Sequence, residues 1–235
     1  MKDNNKINSE NRGFFSSPLP VWPDFEPVIP VKDYTLRLLR ESSSDFSSYA
    51  LFWREAYPAL EGGVVDFILK PSTYPRLFGQ GKTFMKGFYA AFVFEDNKNK
   101  KIFGGTLLFL DVANRNAQAV LLAVLPEYRN RYDTAKFLYK YAEYYDKFVE
   151  ASGVEYAWSG AVTSHKVTQK LLKHIGYKVR GIIPGMGIAA IDNTCYRREN
   201  NVYMDKFYND GFKRTPQYMN LIPEAQRLWN VIGEK

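Results

Sequence analysis

The segment from Ala117 to Leu125 limits most sharply what this chain can become, because it is an almost uninterrupted run of Ala, Val and Leu that stops at Pro126. Its length is that of a strand, and its apolar residues do not alternate with polar ones. The pattern predicts a strand in the middle of a sheet, buried on both faces. Its apolar core, Ala119 to Leu125, is far too short to cross a bilayer. Proline cannot continue the ladder, so the chain must turn at Pro126.

The flanking residues supply neighbours for this strand. Tyr89 to Phe94 and Ile102 to Leu110 are apolar runs separated by the polar stretch Glu95 to Lys100, which is an antiparallel hairpin pattern. Downstream, Leu138, Tyr141, Ala142, Tyr145 and Val149 recur at helical spacing, which predicts a helix over 134–151 with Asp133 as its cap and Gly153 beyond its end. Val154 to Ala161 reads as a strand and Ser164 to His174 as a helix closed by Gly176. Strands are expected near 177–183 and 201–207 with a Gly-rich interruption between them, and a short helix near 223–232. Upstream, Tyr34 to Leu39 reads as a strand, Ser42 to Asp45 as caps of a helix running through Tyr57, and 61–87 as loops with one short helix. Residues 1–33 hold five of the twelve prolines and form an extended arm, which Phe14, Phe15, Trp22 and Phe25 pack onto a domain at 34–208 or leave partly mobile, the alternative being a partner-binding polyproline segment; residues 209–235 are a tail.

With 46% hydrophobic and 24% charged residues the 235-residue chain is not disordered as a whole. Its one cysteine, Cys195, excludes an internal disulfide and a cysteine-based metal cluster, and it is expected to be an ordinary thiol in a cytoplasmic protein. Met1 to Asn11 is polar, without the apolar run of a signal peptide. The formal net charge of +7 points to anionic partners, and ten Lys and Arg against five Asp and Glu between Arg129 and Arg180 locate that charge. No metal-ligand spacing, P-loop or GxGxxG appears.

The charge centres on Leu122 to Ala135, LAVLPEYRNRYDTA, where the apolar strand ends, turns through basic residues and opens into a helix. Unpaired N–H groups and the positive dipole end of a first helical turn favour an anion, and Arg129, Arg131 and Lys136 add to them. A pyrophosphate suits such a site. At these residues the sequence resembles the GCN5-related N-acetyltransferase (GNAT) superfamily, whose cofactor segment runs as a strand, Pro, an acidic residue, an aromatic, then Arg/Gln-x-x-Gly-x-Gly/Ala. Val124 to Arg129 match it, and Leu171 to Tyr177 resemble the family's helix closing on Gly-Phe/Tyr.

The resemblance spans about 34–208 and implies an α/β (α+β) fold with a mixed, mostly antiparallel twisted sheet of six to seven strands flanked by helices. It implies that main-chain groups of Leu122, Ala123 and Val124 bind the pantetheine arm of acetyl-CoA or a longer acyl-CoA. Arg129, Asn130, Arg131, Tyr132, Asp133, Thr134, Ala135 and Lys136 would then surround its pyrophosphate. The implied activity is N-acyl transfer by direct attack of an amine acceptor on the thioester. Two departures stand out. Tyr132 and Thr134 replace loop glycines, so Tyr132 is able to fill the groove while Thr134 offers a hydroxyl to a phosphate. Where many members have a helix-start Asn and a general-acid Tyr, this chain has His165 and Leu172, leaving Ser164, His165 or water to handle protons. Asp111 is a further candidate for orienting an amine, and Phe84, Phe88, Tyr89 and Phe92 for an apolar acceptor side. The alternative is a catalytically inactive module of the same fold that binds a protein or ligand; nucleic-acid binding has no motif behind it.

Overall fold

The computed structural model describes residues 18–23, 29–63, 65–78, 87–190, 196–214 and 220–232. Phe14, Phe15, Phe25, Phe84 and Cys195 lie outside them. Eight strands form one sheet: β1 (Ile29–Val31), β2 (Tyr34–Leu38), β3 (Tyr89–Asp96), β4 (Ile102–Asp111), β5 (Asn116–Val124), β6 (Tyr156–Val162), β7 (Lys178–Ala190) and β8 (Tyr196–Phe207). Their order across the sheet is β1-β2-β3-β4-β5-β6-β8-β7. Every pair is antiparallel except β5 with β6, which is parallel and is joined by a helical crossover. The helices are α1 (Ser43–Ala56), α2 (Tyr74–Leu77), α3 (Tyr132–Ala151), α4 (Val167–His174), α5 (Gly211–Arg214) and α6 (Pro223–Ile232).

Two layers of side chains sandwich the sheet. On one face lies α3, whose buried Phe137, Tyr141 and Phe148 pack against Phe92 and Phe94 of β3 at ring separations of 4.9–5.9 Å. On the other lies α1, started by the Ser42 side chain accepting from the Asp45 N–H. Its buried Tyr49 hydroxyl donates to the Thr106 carbonyl at 2.7 Å. That approach requires a glycine beneath it: a Cβ on Gly105 would stand 2.7 Å from the Tyr49 ring and 3.0 Å from the Phe92 carbonyl oxygen. A buried ion cluster ties the elements together. The Arg37 guanidinium of β2 spans both oxygens of Asp45 on α1 at 2.7 Å each and Glu95 on β3 at 3.0 Å.

The arm is anchored as well. Trp22 stacks on Phe148 at 5.4 Å and donates to the Phe88 carbonyl, while Arg115 donates to the Pro18 carbonyl at 3.0 Å. The arm also supplies β1, which raises the strand number to eight from the expected six to seven. Pro30 is accommodated there because β1 is an edge strand. The other differences lie at boundaries. The Gly-rich stretch 184–187 does not separate two elements; it is a bulge inside β7, with Gly185 at φ +63°. Helix α3 starts at Tyr132, with Asp133 inside its first turn and Arg131 at the cap position, so Asp133 is not the cap. Helix α4 starts at Val167, leaving Ser164 and His165 in the preceding bend.

Replacing Arg37 with Ala leaves two mostly buried carboxylates without their shared cation and is expected to cost about 3 kcal/mol in denaturant unfolding. By contrast, Lys70→Ala removes an exposed pair with Asp66 and is expected to cost less than about 0.5 kcal/mol.

Candidate active site

The sheet is split at β5. Its register with β6 runs from Asn116 opposite Tyr156 to Ala119 opposite Ser159 and then stops, while β6 continues along β8 as far as Val162. Beyond that point β5 stays on β4, through a bulge that leaves Val120 out of register, to Val124 opposite Gly104. The two parallel strands therefore part, and residues 120–124 form one wall of a fork. This explains a failed expectation. The apolar run is not buried on both faces, because every residue from Gln118 to Val124 is half-buried. The side chains that read as the middle of a core line an opening.

The mouth of the fork is the turn into α3. Leu125 is buried, its N–H bonded to the Phe103 carbonyl at 2.8 Å, and the Tyr128 ring stacks on Phe103 at 4.7 Å. The Arg129 Nε donates to the Val124 carbonyl at 2.8 Å, so that carbonyl is already taken. Asn130 holds the left-handed conformation, φ +61°, that lets the backbone reverse into the helix. The Arg131 guanidinium lies 4.7 Å above the Tyr128 ring. No side chain caps α3 among the described residues, so its first N–H groups open towards the loop. Glu127, in the turn before this cationic mouth, is paired with Lys101 at 2.8 Å. That hydrogen bond first, then a backbone hydrogen bond and the charges of Lys101 and Arg131, hold its carboxyl below the usual range.

The residues that replace loop glycines take different places. Tyr132 is 81% exposed and its ring does not fill the loop. Thr134 is 3% exposed, and its Oγ1 has neither solvent nor a hydrogen-bond partner. Asp133, Ala135 and Lys136 are exposed, with Asp133 3.8 Å from Lys32.

Ser164 and His165 sit together in the exposed bend that follows β6, on the opposite wall from residues 120–124. Gln169 ties this bend to α4 by donating to the Val162 carbonyl at 3.0 Å. Leu172 is 6% exposed and packs in the core. The neighbouring Tyr177 does not stand in for a missing acid, because its hydroxyl is buried against that of Tyr145 at 2.8 Å and burial pushes it well above its ordinary value. Asp111 accepts from the N–H and the side-chain amide of Asn114, which makes it a turn residue. Phe92 belongs to the core under α3, whereas Tyr89 packs with Phe67 and Phe78.

Sequence reasoning missed the sheet face opposite α3. Lys206 bonds Asp146 of α3, so alternation places Glu199, Asn201, Tyr203 and Asp205 on the other face, beside the fork. Asp205 is held by the Arg180 Nε at 2.8 Å and by the Tyr156 hydroxyl at 2.9 Å, which also meets the Tyr203 hydroxyl at 2.9 Å. The available signal was an acid within the basic run Arg197-Arg198-Glu199, on a strand whose other charges are exposed or paired.

No protein-family model matches the chain, and no curated protein matches it. Solved structures do. A spermidine N-acetyltransferase chimera from Vibrio cholerae and hSSAT superposes with a TM-score of 0.53 at 15% identity, covering 78% of this chain and 100% of that one. The ribosomal-protein-S5-alanine acetyltransferase from Vibrio fischeri superposes with a TM-score of 0.51 at 13% identity, covering 82% and 100%. The likeness is one of fold, and the chain has the GNAT fold.

Two substitutions test the described loop without a ligand. Thr134→Val removes a buried, unpaired hydroxyl and is expected to leave stability unchanged or raise it by about 1 kcal/mol. Tyr132→Ala removes an exposed ring and is expected to shift stability by less than about 0.5 kcal/mol. Both are read from chemical denaturation.

Proposed function

We propose that this chain is an acyl-CoA-dependent N-acyltransferase that moves an acyl group, in the simplest case acetyl, from the CoA thioester to an amine by direct attack. The observation that supports it most is the fork itself, a half-buried apolar wall on β5 leading straight to an uncapped helix N-terminus flanked by cations. A thioester with an apolar arm and a pyrophosphate head fits that sequence of surfaces. In this reading the backbone of Leu122 and Ala123 pairs with the pantetheine arm. The N–H groups of Tyr132, Asp133 and Thr134, with Arg131 and Lys136, receive the phosphates, whereas the Ala135 N–H is already bonded to the Arg131 carbonyl at 3.0 Å and contributes only its place in the first turn. Val124 contributes less than the family pattern implies, because Arg129 holds its carbonyl. The protein's part in the transfer is proximity and polarisation of the thioester carbonyl by a strand N–H.

Ser164 and His165 are proposed as the groups nearest the chemistry on the β6 wall, with proton transfer passing through them or through water. The second reading is a catalytically inactive module of the same fold, favoured by Leu172, which is buried and brings no hydroxyl to the fork.

Calorimetric titration with acetyl-CoA and a longer acyl-CoA separates the two. An acyltransferase is expected to bind at micromolar Kd, and Arg131→Glu to weaken binding by at least about tenfold, since a repelling charge replaces an attracting one beside the phosphates. Absence of binding by either thioester would sink the enzyme reading.

A further inference from the structure

Glu199 is a charged side chain in an unusual position. It is 7% exposed, and among the described residues its carboxylate meets one cationic donor, Arg197 Nη2, at the long distance of 3.4 Å. Arg197 is itself 58% exposed, so most of its charge is spent on solvent. A buried carboxylate has room for about four hydrogen bonds and is costly when they are not filled. Elsewhere in this protein such groups are well served: Asp205 has Arg180 and Tyr156, and Asp45 has Arg37 and the Arg40 N–H.

A second acceptor lies beside it. Asn201, two residues along the same strand face, has its Oδ1 buried and without a donor. Glycines make the space for both. A Cβ on Gly187, the β7 residue opposite Glu199, would lie 3.1 Å from Asn201 Oδ1 and 3.6 Å from Glu199 Cβ, and one on Gly160 would lie 3.0 Å from Asn201 Nδ2. Gly160 directly follows Ser159, the last β6 residue paired with β5, so this cluster stands at the vertex of the fork. It is on the face away from α3 and its anion-attracting N-terminus. Tyr57, the residue that ends α1, feels the same charge: burial first, and the Glu199 carboxylate second, raise its phenol. The turn 58–60 after it contacts β7.

Two acceptors short of donors, one of them charged, complement a group that has several N–H donors and a positive charge. We propose that Glu199 and Asn201 seat the ammonium group of a cationic amine, so that the acceptor is selected for its charge before it meets the thioester. This rests on the acyltransferase reading for the word acceptor, but the seat is a binding site in its own right. It assigns no chemical step to Glu199.

The test is ligand-observed NMR of the full chain with benzylammonium at neutral pH, and with benzyl alcohol as an uncharged probe of the same shape. The wild type is expected to bind benzylammonium in preference to the alcohol, and Glu199→Gln to weaken it by about tenfold or more with no change for the alcohol. Arg197→Gln removes the competing cation and, in samples whose unfolding transition shows that they are folded, is expected to tighten benzylammonium about two- to fivefold. Equal binding of both probes, or no response to either substitution, overturns the seat. Acetyl-CoA calorimetry on the same samples keeps the two ideas apart. Thioester binding without a charge-dependent amine site overturns the seat and leaves the acyltransferase; a Glu199-dependent amine site without thioester binding does the reverse.

Discussion

The parting of β5 from β6 after Ala119 and Ser159 is the constraint on which the remainder of the structure depends. A strand inside a sheet normally has both edges hydrogen-bonded, and an edge left open must find water, a side chain or a ligand. From Val120 to Val124 the β6 edge of β5 is open. Its last carbonyl is taken by Arg129, and the Ser159 hydroxyl donates to the Ala119 carbonyl at 3.2 Å at the vertex. Between these two pins the backbone is presented to whatever enters the fork. The bulge at Val120 belongs to the same device, since an extra residue bends the strand and increases its twist.

The hydrophobic layers serve to keep this geometry rigid. On one side Phe92, Phe94, Phe103 and Tyr128 interlock with α3, so the helix whose N-terminus faces the mouth is fixed by aromatic packing and not by its own propensity. On the other side α1 is held by Tyr49 above Gly105 and by the Arg37 cluster, which brings Tyr57 and the following turn across to β7. The two helices bury the sheet, and the crossover helix α3 also brings its N-terminus to the mouth of the fork.

How far the sequence disclosed this depended on the range over which each signal acts. Local patterns were faithful: the β3–β4 hairpin, the stop at Pro126, the 3.6-residue periodicity of α3, the glycine at Gly176 with φ +90°, and the tail helix at 223–232 all appear in place. The basic turn at the mouth was legible for the same reason, since strand, turn and helix follow one another in the chain, although the cap was misplaced at Asp133. The burial of 118–124 was misjudged because an apolar strand facing a cleft and one facing a core have the same composition. Strand β7 was cut short because its Gly-Pro-Gly region mimics a loop, and only the pairing with β8 shows it to be a bulge. Glu199 and Asn201 were illegible because their significance comes from Gly187, Gly160 and Tyr57, which belong to three other elements. The fold was therefore readable to within one strand, and of the proposed site the sequence named mainly the residues of one wall.

The distribution of charge across the fork makes physical sense of a chain whose overall balance is basic. On the α3 side the helix dipole, Arg131 and Lys136 attract anions, and Glu127 is neutralised by Lys101. On the opposite face lie a buried carboxylate and an orphaned amide oxygen, the proposed cation seat, and Arg180 does not compete for it because Asp205 and the Ile232 carbonyl occupy its guanidinium. Two substrates of opposite charge that bound on the same face would screen each other, and each would occupy the other's site. In the proposed arrangement the two are separated by the thickness of a sheet and would meet at the vertex, where β5 and β6 part. Under the proposed function, the fork would turn this electrostatic preference into the single meeting point that direct transfer from a thioester to an amine requires.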